Sequence, residues 1–215
     1  MATEQNPKVK KGHELLADTF TRGGLKAVFF VPTFLYPTLV ELAERPIKRV
    51  LCHSEKAAAY MADGYAQASN RPGVVITQGG PGATNVVAGL ADAWESNTPI
   101  LCLTPIIPDV RYHGNSYQEV YTDFGQVTKY DAEVRMVHRL PEFLGKAYRE
   151  ATTGAPRPVH LYIGGALESQ EFAFNEDFID DRFFTYPAFR PPAADEDVKT
   201  VVRQIKAAER PALVV

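Results

Sequence analysis

Residues 50–104 alternate apolar runs with helix-period stretches, in the order strand, helix, strand, glycine turn, helix, strand. Two consecutive βαβ units of this kind restrict the chain to few folds, and strands and helices alternating at these lengths predict an α/β doubly wound sheet, mainly parallel with helices on both faces. Two handovers stand out. An acid, Glu55, sits where the first strand passes into its helix, and Gly79-Gly80-Pro81-Gly82 sits where the second strand passes into the next. In an open parallel sheet both points lie at the carboxyl ends of the strands, where ligands bind.

The flanking sequence extends the pattern. Leu15, Leu16, Phe20 and Leu25 keep near-helical spacing over His13–Gly24, with Gly23-Gly24 as a stop. Ala27–Val31 is a continuous apolar run, as a doubly covered parallel strand should be. Leu35–Glu44 reads as a short helix and Arg49–Cys52 as a strand. Over Glu55–Ser69 the residues Ala58, Met61, Ala62 and Tyr65 share one helical face, and Gly64 permits a close neighbour. Gly73–Thr77 and Ile100–Leu103 are strands, and the helix between them aligns Ala83, Val87, Leu90 and Trp94. Pro105–Asn115 reads as loop, Tyr117–Phe124 as a short helix, Glu133–Val137 as a strand, Leu140–Thr152 as a helix and Val159–Ile163 as a last strand.

This divides the chain into a tail (1–12), one domain (13–167), a linker (168–194) and the start of a further domain (195–215). The linker carries acids, prolines and seven aromatic residues from Phe172 to Phe189 without a clean period. A stretch so rich in Phe does not stay freely solvated, so it is expected to lie on the domain surface. Asp195–Glu209 reads as a helix with Val198, Val201, Val202 and Ile205 on one face, and Pro211–Val215 as the opening of a strand. Such elements cannot bury their apolar side without partners, so the chain reads as a truncated form.

A chain of 215 residues can bury a real core. Its net charge of −3 and the lack of any basic run longer than Lys8-Val9-Lys10-Lys11 argue against nucleic acid as a partner. No apolar core of a signal peptide follows the polar start, and no apolar run reaches membrane-spanning length, so no membrane partner is expected. Cys52 and Cys102 both lie in apolar runs, and reduced, buried thiols suit a cytoplasmic protein.

Position alone gives Glu55 an ordinary meaning, since an acid in a first helical turn is favoured by the helix dipole. The Gly79–Asn85 turn fails as a dinucleotide fingerprint, which needs a third glycine where Asn85 stands, and as a P-loop, which needs Gly-Lys-Ser/Thr. A flavodoxin-like nucleotide binder is excluded on the same ground. A tight turn with Pro81 near the first helical position is the plain alternative. His113 is a lone loop histidine, a type more often solvated than catalytic. His53, His138 and His160 fall in strand or strand-edge contexts, and no chemistry is assigned to them.

The combination Glu55-x-Ala57-Ala58, Ala62-Asp63-Gly64-Tyr65-Ala66, Gly80-Pro81-Gly82-Ala83-Thr84-Asn85 and Gly89-Leu90-Ala91-Asp92-Ala93 resembles the pyrimidine-binding domain of thiamine-diphosphate (ThDP) enzymes of the acetolactate synthase, benzoylformate decarboxylase and pyruvate oxidase type. The resemblance implies that Glu55 bonds to N1′ of the cofactor's aminopyrimidine and carries the proton traffic of its activation. It implies that Pro32, Gln78, Gly80, Pro81, Gly82 and Asn85 shape the pyrimidine pocket, and that Gln118, of the Gln118-Glu119 pair, and His113 meet substrate. It also implies a 2-keto acid or related substrate, decarboxylation, carboligation or lyase chemistry, and a second subunit across the pyrimidine/diphosphate interface. The diphosphate and its Mg2+ would be held by a domain type whose motif this chain lacks, so no metal site is expected here. Ser54 and Lys56 stand where relatives often have His and Gln, and Phe30 and Thr33 where relatives have glycine. A non-catalytic assembly or regulatory module of the same descent is the alternative these departures allow.

Overall fold

The computed structural model describes residues 8–106, 123–175 and 178–212. The chain opens with β1 (Lys8–Lys11), which stands outside the main sheet, and α1 (Gly12–Arg22). The main sheet has six parallel strands: β2 (Ala27–Phe30), β3 (Lys48–Leu51), β4 (Gly73–Ile76), β5 (Ile100–Pro105), β6 (Tyr130–Val134) and β7 (Val159–Ile163). Their spatial order is β3-β2-β4-β5-β7-β6. The charged strands take the edges, with Lys48 and Arg49 on β3 and Asp131 and Glu133 on β6, while the apolar runs fill the middle. Edge placement leaves charged side chains in water and discourages pairing with other chains.

Successive residues of each strand point to opposite faces, so each apolar run serves two cores. Val28, Val74, Ile76, Leu101, Leu103 and Leu161 pack with α1, α2 (Tyr36–Glu41) and α5 (Leu140–Thr152). Phe29, Val75, Ile100 and Cys102 pack with α3 (Glu55–Ser69) and α4 (Pro81–Glu95). The doubly wound α/β arrangement expected from the alternation of elements is the one found. Both cysteines are buried and unpaired. Among the described residues no helix is long and apolar enough to cross a membrane.

The buried helix faces differ in detail from the expected stripes. On α3 the buried residues are Glu55, Ala58, Ala59, Ala62, Asp63 and Ala66, and Met61 is exposed. On α4 they are Gly82, Ala83, Val86, Gly89, Leu90 and Ala93, with Val87 and Trp94 only partly covered. The cause is close approach of the two helices: a Cβ on Gly89 would stand 2.5 Å from that of Ala59, so the seam follows the smallest side chains. Gly64, expected to admit a neighbour, faces open space. β6 begins and ends three residues before the strand expected at Glu133–Val137, because pairing with β7 aligns Tyr130 with Val159 and Val134 with Ile163. Val137 instead enters a 3-10 turn ahead of α5.

A second, two-stranded sheet joins β1 antiparallel to β8 (Glu171–Phe174), with Lys8 opposite Phe174 and Lys11 opposite Glu171. The sequence reading gave neither segment a strand, since four residues are too few to display a period and the partners lie far apart in the chain. Beyond β8, Ile179 and Phe184 join Phe174 in the core under α1 and α5, so this stretch is seated in the core as well as on the surface. α6 (Asp195–Ala207) follows, with Val198, Val201, Val202 and Ile205 all exposed. Of the short helix expected over Tyr117–Phe124, all but Asp123 and Phe124 lies outside the described residues; Phe124 opens a one-turn 3-10 helix ending at Gln126.

Candidate active site

Between β2 and β4 the winding of the sheet reverses, since the chain leaves β2 for β3 on one side and β4 for β5 on the other. The crevice at the carboxyl ends of these strands is the expected ligand position of an open α/β sheet. The loop after β2 lines it from one side and Gln78–Gly82 from the other, tied by a bond from the Val31 amide to the Ile76 carbonyl at 3.1 Å.

Glu55 enters from β3 as the first residue of α3. Ser54 caps this helix, its hydroxyl accepting from the Ala57 amide at 3.2 Å, which frees the acid from capping duty. Glu55 is 8% exposed. One carboxylate oxygen accepts from the Asn85 side-chain amide at 3.2 Å. The other lies 3.0 Å from the position a Cβ on Gly82 would take, and that Cβ would also stand 2.6 Å from Cβ of Gln78. Gly82 therefore leaves the space in which acid and turn meet. Gly80 adopts φ 57, ψ −115 before α4, in the half of the map that side chains disfavour, and Pro81 starts the helix where a missing amide hydrogen costs nothing.

Glu55, Gln78, Gly82 and Asn85 thus stand together at the carboxyl ends of β3 and β4, with Gly80 and Pro81 shaping the turn. Pro32 is exposed in the neighbouring loop, its carbonyl accepting from the Tyr36 hydroxyl at 2.9 Å. Glu55 is thus a buried acid with one oxygen bonded to Asn85 and the other close against Gly82. Among the described residues no group of three or more His, Cys, Asp or Glu side chains is placed to hold a metal. His113 and Gln118 lie outside the described residues.

Residues 10–126 match the family model described as thiamine pyrophosphate enzyme, N-terminal TPP binding domain. The chain belongs to this family. It is 29% identical over 208 residues to a probable acetolactate synthase large subunit of Methanocaldococcus jannaschii, covering 94% of this chain and 35% of that protein. It is 30% identical over 211 residues to the chloroplastic acetolactate synthase of Arabidopsis thaliana, covering 96% of this chain and 31% of that protein. Against the acetolactate synthase isozyme 1 large subunit of Escherichia coli it is 30% identical over 212 residues, 94% and 36% of the two chains. The chain spans about a third of the length of these relatives.

Two polar arrangements in this thiamine pyrophosphate enzyme domain escaped the sequence reading. His160 on β7 takes a hydroxyl hydrogen from Thr104 on β5 at Nε2 (2.8 Å) and gives its Nδ1 hydrogen to Asp131 on β6 (2.6 Å). The order is that of a hydrolase triad, but Thr104 and His160 are wholly buried and Phe124 stacks on the imidazole at 3.8 Å, so no substrate reaches the hydroxyl. Burial pushes the imidazole pKa down, against the opposing pull of Asp131. Only the spatial order of β5, β7 and β6 brings these residues together, and sequence does not display it. The second arrangement is Glu168, buried beyond β7 and bonded to Thr38.

Proposed function

We propose that this chain is the pyrimidine-binding part of a ThDP-dependent enzyme of acetolactate synthase-like type, acting on a 2-keto acid or related substrate by decarboxylation, carboligation or lyase chemistry. The observation that carries the reading is the contact of the Glu55 carboxylate with Asn85 and Gly82 at the switch point of the sheet.

When bound, ThDP would supply a carbon acid whose conjugate base adds to a carbonyl and takes up the electrons released on breaking a carbon–carbon bond. The residues here act on its pyrimidine end. Glu55 would hold the ring at N1′ and exchange a proton with it, and Asn85 fixes the carboxylate through one oxygen. Gly82 keeps that approach open, and Gln78, Gly80, Pro81 and Pro32 form the walls. Gln118 and His113 are assigned to the substrate end. Mg2+ and the diphosphate belong to a complementary domain of a second subunit, which makes an isologous pair the smallest working unit. We place the domain itself at residues 13–167 and a linker over 168–194, with the β1–β8 ribbon, Ile179 and Phe184 packed onto that domain, and α6 as the opening of a middle domain. Two unpaired buried thiols accord with a cytoplasmic location.

The test is made on the full-length protein that carries this chain, with ThDP, Mg2+ and a panel of 2-keto acids. Glu55→Gln keeps the side-chain volume and removes the titrating carboxyl. It is expected to retain the fold by circular dichroism and to lose turnover by at least about a hundredfold, the range for a positioned proton carrier. Equal turnover in the two proteins would take Glu55 out of the mechanism, and no turnover in either would favour the non-catalytic assembly module.

A further inference from the structure

The loop after β2 reaches the crevice through a helix with no cap of its own. Leu35, at the N-cap of α2, has φ 55 and makes no side-chain capping bond. The missing partner comes from across the fold. Glu168, in the 3-10 turn Leu167–Ser169 beyond β7, accepts at one oxygen from both the Thr38 amide (2.9 Å) and the Thr38 hydroxyl (2.6 Å). The turn that carries it is itself pinned, since His13 Nδ1 bonds the Glu168 carbonyl at 2.9 Å. A Cβ on Gly12 would stand 2.4 Å from the Leu167 carbonyl oxygen, so the start of α1 presses directly on this turn.

Glu168 and Thr38 are both buried, so each needs the other. A carboxylate left without these donors would carry the full cost of its desolvation, as would the Thr38 amide. The pair therefore holds α2 at a fixed depth. Ahead of it, Leu35 is anchored in the core, and Tyr36 bonds back to the Pro32 carbonyl. The segment 32–38 is thus seated in the core at Leu35 and Thr38, with Pro32, Tyr36 and Pro37 exposed and Thr33 half-buried, and Pro32–Thr33 form its tip just beyond the carboxyl end of β2, at the switch point of the sheet.

We infer that Glu168 is a positioning residue for the pyrimidine site: through Thr38 it sets the depth of α2 and hence the placement of the Pro32–Thr33 tip against the cofactor. The inference rests on the ThDP reading above. A buried side chain that locks the element behind a site raises the fraction of molecules ready to bind, and apparent affinity falls in proportion when that fraction drops.

The experiment uses the full-length protein and two readouts, hydrogen exchange of the amides at 36–39 and the affinity for ThDP in the presence of Mg2+. Glu168→Ala is expected to speed exchange at Thr38 and to weaken ThDP binding roughly tenfold. Glu168→Gln, whose amide oxygen can still accept from Thr38, should stay near wild type. Thr38→Val removes only the hydroxyl bond; it should move both readouts in the same direction, and it carries the test if Glu168→Ala does not fold. Leu144→Ala, in the α5 core away from the loop, serves as a control that lowers the melting temperature but leaves affinity alone. Wild-type affinity in both Glu168→Ala and Thr38→Val, or an equal loss in Leu144→Ala, would overturn the inference. Absence of ThDP binding by the wild type would remove the proposed function and this role with it, while the exchange data would still report whether Glu168 holds the loop.

Discussion

Gly82 is the residue on which the crevice is most finely adjusted. A methyl group there meets Gln78 Cβ at 2.6 Å and Glu55 at 3.0 Å, and neither the turn nor a buried carboxylate can retreat freely. Gly82→Ala is expected to cost about 1–3 kcal/mol in urea unfolding, the range for overpacking. His160 makes the stability depend on pH. Burial holds its folded-state pKa below the free value, so the unfolded chain takes up a proton first as the solution is acidified. Its contribution to stability is whole above about pH 6.5 and drains away as the pH falls through that value toward the folded-state one. The slope is at most ~1.4 kcal/mol per pH unit. Denaturant midpoints between pH 5 and 8 should show this component in the wild type and lose it in His160→Gln.

Among the elements, the stretch after β8 shows what packing adds to pattern. Phe184 is inserted where Gly23 leaves room, since a Cβ on that glycine would stand 2.7 Å from its ring, and it meets Tyr148 of α5 edge-on at 5.1 Å between ring centres. Phe184→Ala is expected to cost about 3–5 kcal/mol. Phe189→Ala, at an exposed position five residues on, should stay within about 1 kcal/mol by the same urea titration. Sequence told that so many phenyl groups cannot all be solvated, but not which ones reach the interior. The helices and strands of 50–104 were legible because their signals are local: helix-period stretches, a proline at the start of α4 and unbroken apolar runs. The buried faces of α3 and α4 were not, because the mutual approach at Gly89 selects them, and β6 slipped because its register belongs to β7. In the site, the residue types of Glu55 and the proline turn were legible, and their contact waited on the order of the strands.

For the molecule as a whole, the proposed site takes from this chain only the residues at the starts of α3 and α4 and the loop after β2, and the diphosphate and Mg2+ are proposed to sit on a complementary domain. A polypeptide of these 215 residues alone is therefore expected to show no turnover with ThDP, Mg2+ and any 2-keto acid, and to gain it only with the complementary diphosphate-binding domain. Robust turnover by the purified polypeptide would count against a shared site. The β1–β8 ribbon adds a constraint of another kind. It fastens Lys8–Lys11 to Glu171–Phe174 like a buckle, and the turn carrying Glu168 hangs from the same clasp. Trimming the amino terminus back to α1 for crystallisation or display would unhook the far end of the domain, and the first place to loosen would be the α2 anchorage on the opposite flank of the crevice, not the cut itself.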